Sequence, residues 1–251
     1  MSSLYKNCPK CGANSAGLDT CPKCGLIFAK YLRAKFAVPE QRPRRMVEAQ
    51  DEDSWFARAK AVALYVPERV EPAFVYGRAI LLALIAFYGV KLALMDIPQW
   101  EMASSLIHLP MVPIHEFGHI LFRPFGEFLM LLGGSLLQVM LPLIFGGIFL
   151  VKNRDPFAAS VMLWWAAVAV MDVAPYIYDA WEPRHVLLTG RTGDTGAHDF
   201  IDTLGDLGLL HKARPIGRGV HAFGVLMMLA ALVWGAWLLW QQYRTWKSST
   251  T

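Results

Sequence analysis

The residues best equipped for chemistry are His115-Glu116-Phe117-Gly118-His119. On a helix, residues four apart lie nearly one above the other, so His115 and His119 can offer imidazoles to a single ion. Glu116, rotated beside them, is placed to take a proton from a metal-bound water, the division of labour in His-Glu-x-x-His peptidases. Zinc lowers the pKa of its water to about 7 and so makes a nucleophile at neutral pH. Glu116 then passes the proton to the leaving amine. Alone, these five residues are a weak signal, because soluble helices match them by chance. Their setting sharpens it: the apolar segment 103–125 carries them together with His108. Each ionisable residue inside a membrane span costs about 2.5–3.5 kcal/mol on insertion scales, so three together need a reason. The bland alternatives are a hydrogen-bonded polar cluster at a helix interface, or a surface helix.

A catalytic zinc takes three protein ligands and a water. Candidates for the third ligand are Asp172, Asp179, His185, His198 and Asp199. Asp179 ends an apolar segment where a carboxylate can meet the cytoplasmic end of 103–125, and Asp172 lies seven residues deeper on nearly the same face. His198-Asp199 follows a turn with Gly190, Gly193 and Gly196 and opens an amphipathic helix over 199–210. The bland reading makes Asp199 a helix-start residue and His198 an exposed loop residue. His108, His185, His211 and His221 read as interfacial or packing residues.

All four cysteines fall in the first 24 residues, as Cys8-Pro9-Lys10-Cys11 and Cys21-Pro22-Lys23-Cys24. Two Cys-x-x-Cys pairs supply the tetrahedral sulfur shell of a structural zinc. The alternatives are disulfides or redox pairs. Disulfides need an oxidising compartment, and the Lys- and Arg-rich flanks place this end in the cytoplasm. The pattern resembles rubredoxin-like zinc ribbons over about residues 5–30. Such modules bind protein or nucleic acid, or cap a terminus.

The elements that must position these residues follow from composition. Apolar residues make up 55% of the 251 and charged ones only 18%, with a mean hydropathy of +0.35, which points to a membrane protein. The formal net charge of +4 comes without a basic face interleaved with aromatics, so no nucleic-acid partner is expected. The long apolar runs start at about residue 76, too late for a cleavable signal peptide. The fold class expected is mainly α: a zinc ribbon at 1–30, a linker with an amphipathic helix at 31–75, and a polytopic helical membrane domain at 76–251. Residues 30–50, with Pro39, Pro43, Arg42, Arg44 and Arg45, read as linker. Residues 51–66 read as a helix that lies on the membrane surface or packs against either neighbour. Five spans are expected at 77–95, 103–125, 128–150, 157–180 and 217–240, each near the 20 residues that crossing takes. Pro110 and Pro113 make the second span the one to be re-entrant. The N-terminus, the 124–127 turn and the 181–216 loop are expected in the cytoplasm. Five spans then leave Lys152, Arg154, Arg244 and Lys247 outside, against the usual charge bias.

The chain resembles the site-2 protease class of intramembrane metalloproteases over about residues 103–182. That class pairs a His-Glu-x-x-His span with a glycine-rich span and a third bearing Asn-x-x-Pro followed by Asp-Gly. Here these correspond to His115-Glu116-Phe117-Gly118-His119, to Gly133-Gly134-Ser135 with Gln138, and to Asp172-Val173-Ala174-Pro175 with Asp179-Ala180. Asp172 replaces the Asn, the Pro-to-Asp gap is one residue short, and Ala180 replaces the Gly. The resemblance implies His115, His119 and Asp179 as zinc ligands and Glu116 as base; from the residues alone, Asp172, His198 and Asp199 stay rivals for the third place. Together with the cysteine pairs, two zinc ions are expected, one catalytic and one structural at Cys8, Cys11, Cys21 and Cys24. The expected activity is hydrolysis of a membrane-tethered protein in a bacterial inner membrane, the ribbon recruiting the substrate or a cytoplasmic protein partner. The competing readings are a non-catalytic membrane scaffold and a zinc hydrolase of lipid or another small molecule.

Overall fold

A computed structural model describes residues 6–36, 54–68, 70–187 and 190–249. The basic cluster at Arg42, Arg44 and Arg45, and most of the expected linker, lie outside the described residues. The chain forms two units, Met1–Ser54 and Trp55–Thr251. The division falls inside the expected 31–75 segment and assigns its helix to the second unit.

The first unit uses one local design twice. Cys-Pro-Lys-Cys-Gly occurs at 8–12 and again at 21–25. In each copy the glycine N–H donates to the carbonyl of the first cysteine at 2.9 Å. Gly12 and Gly25 reach that bond with φ of +72° and +70°, which only a residue without a Cβ adopts freely. Each copy is closed by a single bridge, Asn7 with Asn14 and Thr20 with Ile27. Phe28, the first residue of α1 (Phe28–Phe36), is buried against Cys8 and Cys21.

The second unit is helical, and no strand occurs among the described residues. Helix α2 (Trp55–Ala63) buries none of its residues, and the Trp234 Nε1–H donates to its Ala63 carbonyl at 3.0 Å. Four helices are long and apolar enough to cross a membrane: α3 (Pro72–Ala93), α5 (Glu127–Val151), α6 (Pro156–Asp179) and α8 (Ala213–Ser249). Their outward surfaces agree with that. Phe74, Ile80, Leu84 and Phe87 on α3 are each at least 60% exposed, an apolar face that a water-soluble chain would hide.

The expected second span is different. Residues 103–125 break into a 3-10 turn at Glu101–Ser104, helix α4 (His108–Phe122), and another 3-10 turn at Arg123–Phe125. Fifteen residues span about 22 Å, short of a hydrocarbon core of about 30 Å. The prolines act less severely than their positions in 103–125 suggest. The helix starts at His108, so Pro110 falls in the first turn, where its missing N–H is not needed, and only Pro113 removes an internal bond.

Helix α6 forms the centre, with 72% of its apolar window buried against 11% for α3. Ala166, Ala167, Ala169 and Ala174 are fully covered. Helix α8 lies close along it because small residues recur on one face at 217, 224 and 231. A Cβ on Gly217 would come within 2.8 Å of the Ala174 carbonyl, and one on Gly224 within 3.0 Å of the Ala167 carbonyl. The ends of the unit are equally well defined. At one, Arg78 of α3 bonds Asp155 at the start of α6 and Gln242 near the end of α8. At the other, His185 bonds the Pro98 carbonyl and His221 the Ala93 carbonyl. The start of α3 and the 152–155 turn therefore share one end, and the 181–212 segment lies at the opposite one. The sequence expectation grouped the N-terminal side with 181–216, a grouping that needs residues 103–125 to cross; α4 is not among the four helices long and apolar enough to do so.

Candidate metal centre

Helix α4 carries His115, Glu116 and His119, and a glycine contact presses it against α5. A Cβ on Gly118 would lie 2.7 Å from the Gly134 Cα, and one on Gly134 would lie 2.6 Å from His115 Nε2. The Gly133-Gly134 pair thus makes room for the imidazole itself. One turn further along the same face of α5 stands Gln138.

Both histidines are oriented from behind. The His115 Nδ1–H donates to Gln138 Oε1 at 3.3 Å, and the His119 Nδ1–H donates to the Met130 carbonyl at 2.8 Å. These bonds place the protons on Nδ1 and turn both Nε2 lone pairs forward. What they face is Asp199, the first residue of α7 (Asp199–Asp206): its Oδ2 is 3.1 Å from His115 Nε2 and 3.4 Å from His119 Nε2. The Glu116 carboxylate lies beside them, its ligand atom and those of the two histidines all within 4.8 Å of one another. Burial works against the charged form of Asp199. Where both ring nitrogens carry protons, His115 and His119 also donate from Nε2, which outweighs burial and holds the carboxyl well below the usual carboxylate range.

Asp179 does not join this group. It caps the turn after α6, accepting the Arg184 backbone N–H at 3.0 Å, and its oxygens are 3.9 Å from His185 and from His198. The resemblance had it as the third ligand; the carboxylate that meets both histidines is the rival Asp199. A ligand far along the chain is drawn in because the 181–198 segment folds back over the end of α6. His198 is fully buried, which excludes the reading of it as an exposed loop residue. Its Nδ1 accepts the Ile201 N–H at 3.4 Å, and burial pushes the imidazole below its ordinary pKa. It starts the helix that presents Asp199. Asp172 stands behind the site, accepting from Gln138 Nε2 at 2.7 Å and pairing with His108 Nδ1 at 2.8 Å. His108, read as a packing residue, is therefore the outer end of a chain running through Asp172 and Gln138 to His115.

The sequence reading missed Tyr176. Its hydroxyl accepts the Asp199 backbone N–H at 3.1 Å, and its ring packs on His198 with centroids 4.3 Å apart. The available signal was its position four residues after Asp172, on the same helical face. A cavity of about 450 Å³ opens over the group, its floor formed by His115, Glu116, His119, Tyr176 and Asp199, its walls by Val112, Leu131, Val173, Val186 and Leu187.

A second group that could hold a metal is the four cysteines, all free thiols, with Cys8 Sγ 3.7 Å from Cys24 Sγ and Cys11 Sγ 3.6 Å from Cys21 Sγ. Comparisons with protein-family models, with curated proteins and with solved structures find no match for the chain.

Proposed function

We propose that the chain is a membrane-embedded zinc metallopeptidase, similar to the site-2 protease class, that cleaves a membrane-associated protein. The observation that carries this reading is the meeting of His115 Nε2, His119 Nε2 and Asp199 Oδ2 at the floor of an apolar cavity, with Glu116 beside them. Three protein ligands with an open fourth side are what a catalytic zinc takes. The spacing fits: ligands about 2.05 Å from a tetrahedral ion stand about 3.3 Å apart, against 3.1 and 3.4 Å here. Thiolates about 2.3 Å from zinc stand about 3.8 Å apart, against 3.6 and 3.7 Å in the cysteine group. A zinc ribbon at the N-terminus is therefore part of the reading.

Zinc, when bound, supplies a Lewis acid that acidifies water and polarises a carbonyl. The chain supplies the rest. Glu116 accepts the proton from the attacking water and delivers it to the leaving amine. Tyr176 keeps its own hydroxyl hydrogen, since its oxygen accepts from Asp199, and can donate it to the oxygen of the scissile carbonyl. The Val112, Leu131 and Val173 walls suit an apolar stretch of extended polypeptide and limit water.

Crossings by α3, α5, α6 and α8 bring Lys152, Arg154, Arg244 and Lys247 to the face where the chain enters at Trp55, which accords with a basic cytoplasmic side. Trp100, Val186, Leu187 and Ala197 line the cavity from the opposite face, so water and substrate enter from there. The test is metal content and cleavage of a membrane-tethered reporter by purified wild type and Glu116→Gln. The variant is expected to keep both ions while hydrolysis falls about 10²–10⁴-fold. Equal turnover in the two proteins refutes the mechanism. Loss of the membrane-site ion in Glu116→Gln makes the carboxylate a fourth ligand and favours the scaffold reading.

A further inference from the structure

A second cavity, of about 410 Å³, lies at the other end of the helical unit, where α3, α6 and α8 meet. Arg78, Lys152, Arg154, Asp155, Gln242 and Tyr65 line it. Three cations there face one carboxylate. Arg78 is held in place: one arm of its guanidinium donates to Asp155 Oδ2 at 2.6 Å and the other to Gln242 Oε1 at 2.9 Å, over the Phe157 ring. Gln242 is 1% exposed, yet its amide nitrogen makes no hydrogen bond among the described residues. Gln242 lines the cavity, so its amide N–H groups are placed to donate to a ligand there. Lys152 and Arg154 pair with no carboxylate among the described residues. Arg154 also has φ of +50°, in a helix-ending turn where glycine is the default. The chain places a cation at a position that costs it backbone strain, beside two others.

The aromatic residues fix the depth of this cavity. Tyr76, Trp246, Tyr243 and Trp240 form a linked row at the same end, with neighbouring ring centroids 5.8 to 6.3 Å apart. Such rows sit at the headgroup level of a bilayer.

We propose that this cavity binds the phosphate group of an anionic phospholipid. The Lys152 and Arg154 side chains, the free donors of Arg78 and the amide of Gln242 converge on phosphate oxygens. The surplus of cations favours lipids with net negative charge over zwitterionic ones.

The experiment uses the full chain, purified and delipidated in detergent, with binding followed by native mass spectrometry and thermal shift. Phosphatidylglycerol, phosphatidylcholine and inorganic phosphate are titrated separately. Phosphatidylglycerol is expected to bind at least tenfold more tightly than phosphatidylcholine. Lys152→Ala/Arg154→Ala, both on exposed positions, is expected to weaken it at least tenfold, and Lys212→Ala at the far end to leave it unchanged. Undiminished binding in the double variant, or equal binding of both lipids, overturns the site. Inorganic phosphate binding as tightly as phosphatidylglycerol, and lost in the same variant, overturns the assignment to lipid.

Discussion

Replacing Gln138 by leucine tests whether the groups behind the histidines tune the metal site. Gln138 is 4% exposed, and its amide does two jobs: it donates to Asp172 Oδ2 at 2.7 Å and accepts from His115 Nδ1 at 3.3 Å. Leucine has a similar bulk and can do neither. Losing a hydrogen bond that orients a metal-bound histidine costs about 10–100-fold in metal affinity, or roughly 1.4–2.7 kcal/mol. A 3.3 Å bond is longer than the usual 2.9–3.0 Å for N–H···O, so a value near tenfold is expected. The fold pays separately, since one buried oxygen of Asp172 loses its donor, at about 1–3 kcal/mol. Asp172 keeps His108 at 2.8 Å, which argues for a weakened but folded protein. The assay is competition for zinc against a chelating dye, with circular dichroism as the control for folding. The ion lost in His115→Ala identifies the membrane site in the titration. An affinity for that ion within twofold of wild type in Gln138→Leu refutes the orienting role. So does an equal weakening of the cysteine-bound ion.

Three further predictions follow from the same geometry. Asp199→Ala is expected to lose the membrane-site ion and Asp179→Ala to retain it; metal content of the two variants decides, and the reverse outcome restores Asp179 as the ligand. Gly134→Ala is expected to lose that ion with helicity intact, because its Cβ would stand 2.6 Å from His115 Nε2. Gly147→Ala, where a Cβ meets nothing within 4 Å, should match wild type in both metal content and helicity. Cys21→Ser is expected to release the other ion and expose residues 6–36 to protease while the helical unit resists, as limited proteolysis with metal analysis would show.

Local features were readable directly. The i, i+4 spacing of His115 and His119 needs only a helix, and helix α4 provides it. The cysteine pairs need only tight turns, and the repeated Cys-Pro-Lys-Cys-Gly makes them. Helices α3, α5, α6 and α8 were visible as long apolar runs. Tertiary contacts decided the rest. The depth of α4 depends on the close approach of Gly118 to Gly134, which no property of residues 103–125 reveals. Asp199 and Asp179 are equally plausible ligands along the chain. The choice rests on the 181–198 segment folding back and on buried His198 starting α7 there. His108, Asp172, Gln138 and Tyr176 take part only because α4, α5 and α6 pack together. Residue type and short-range spacing set which side chains can bind an ion, since that chemistry is local. Which of them share one ion depends on contacts between residues as much as 84 positions apart, and those are set by packing of the whole helical unit.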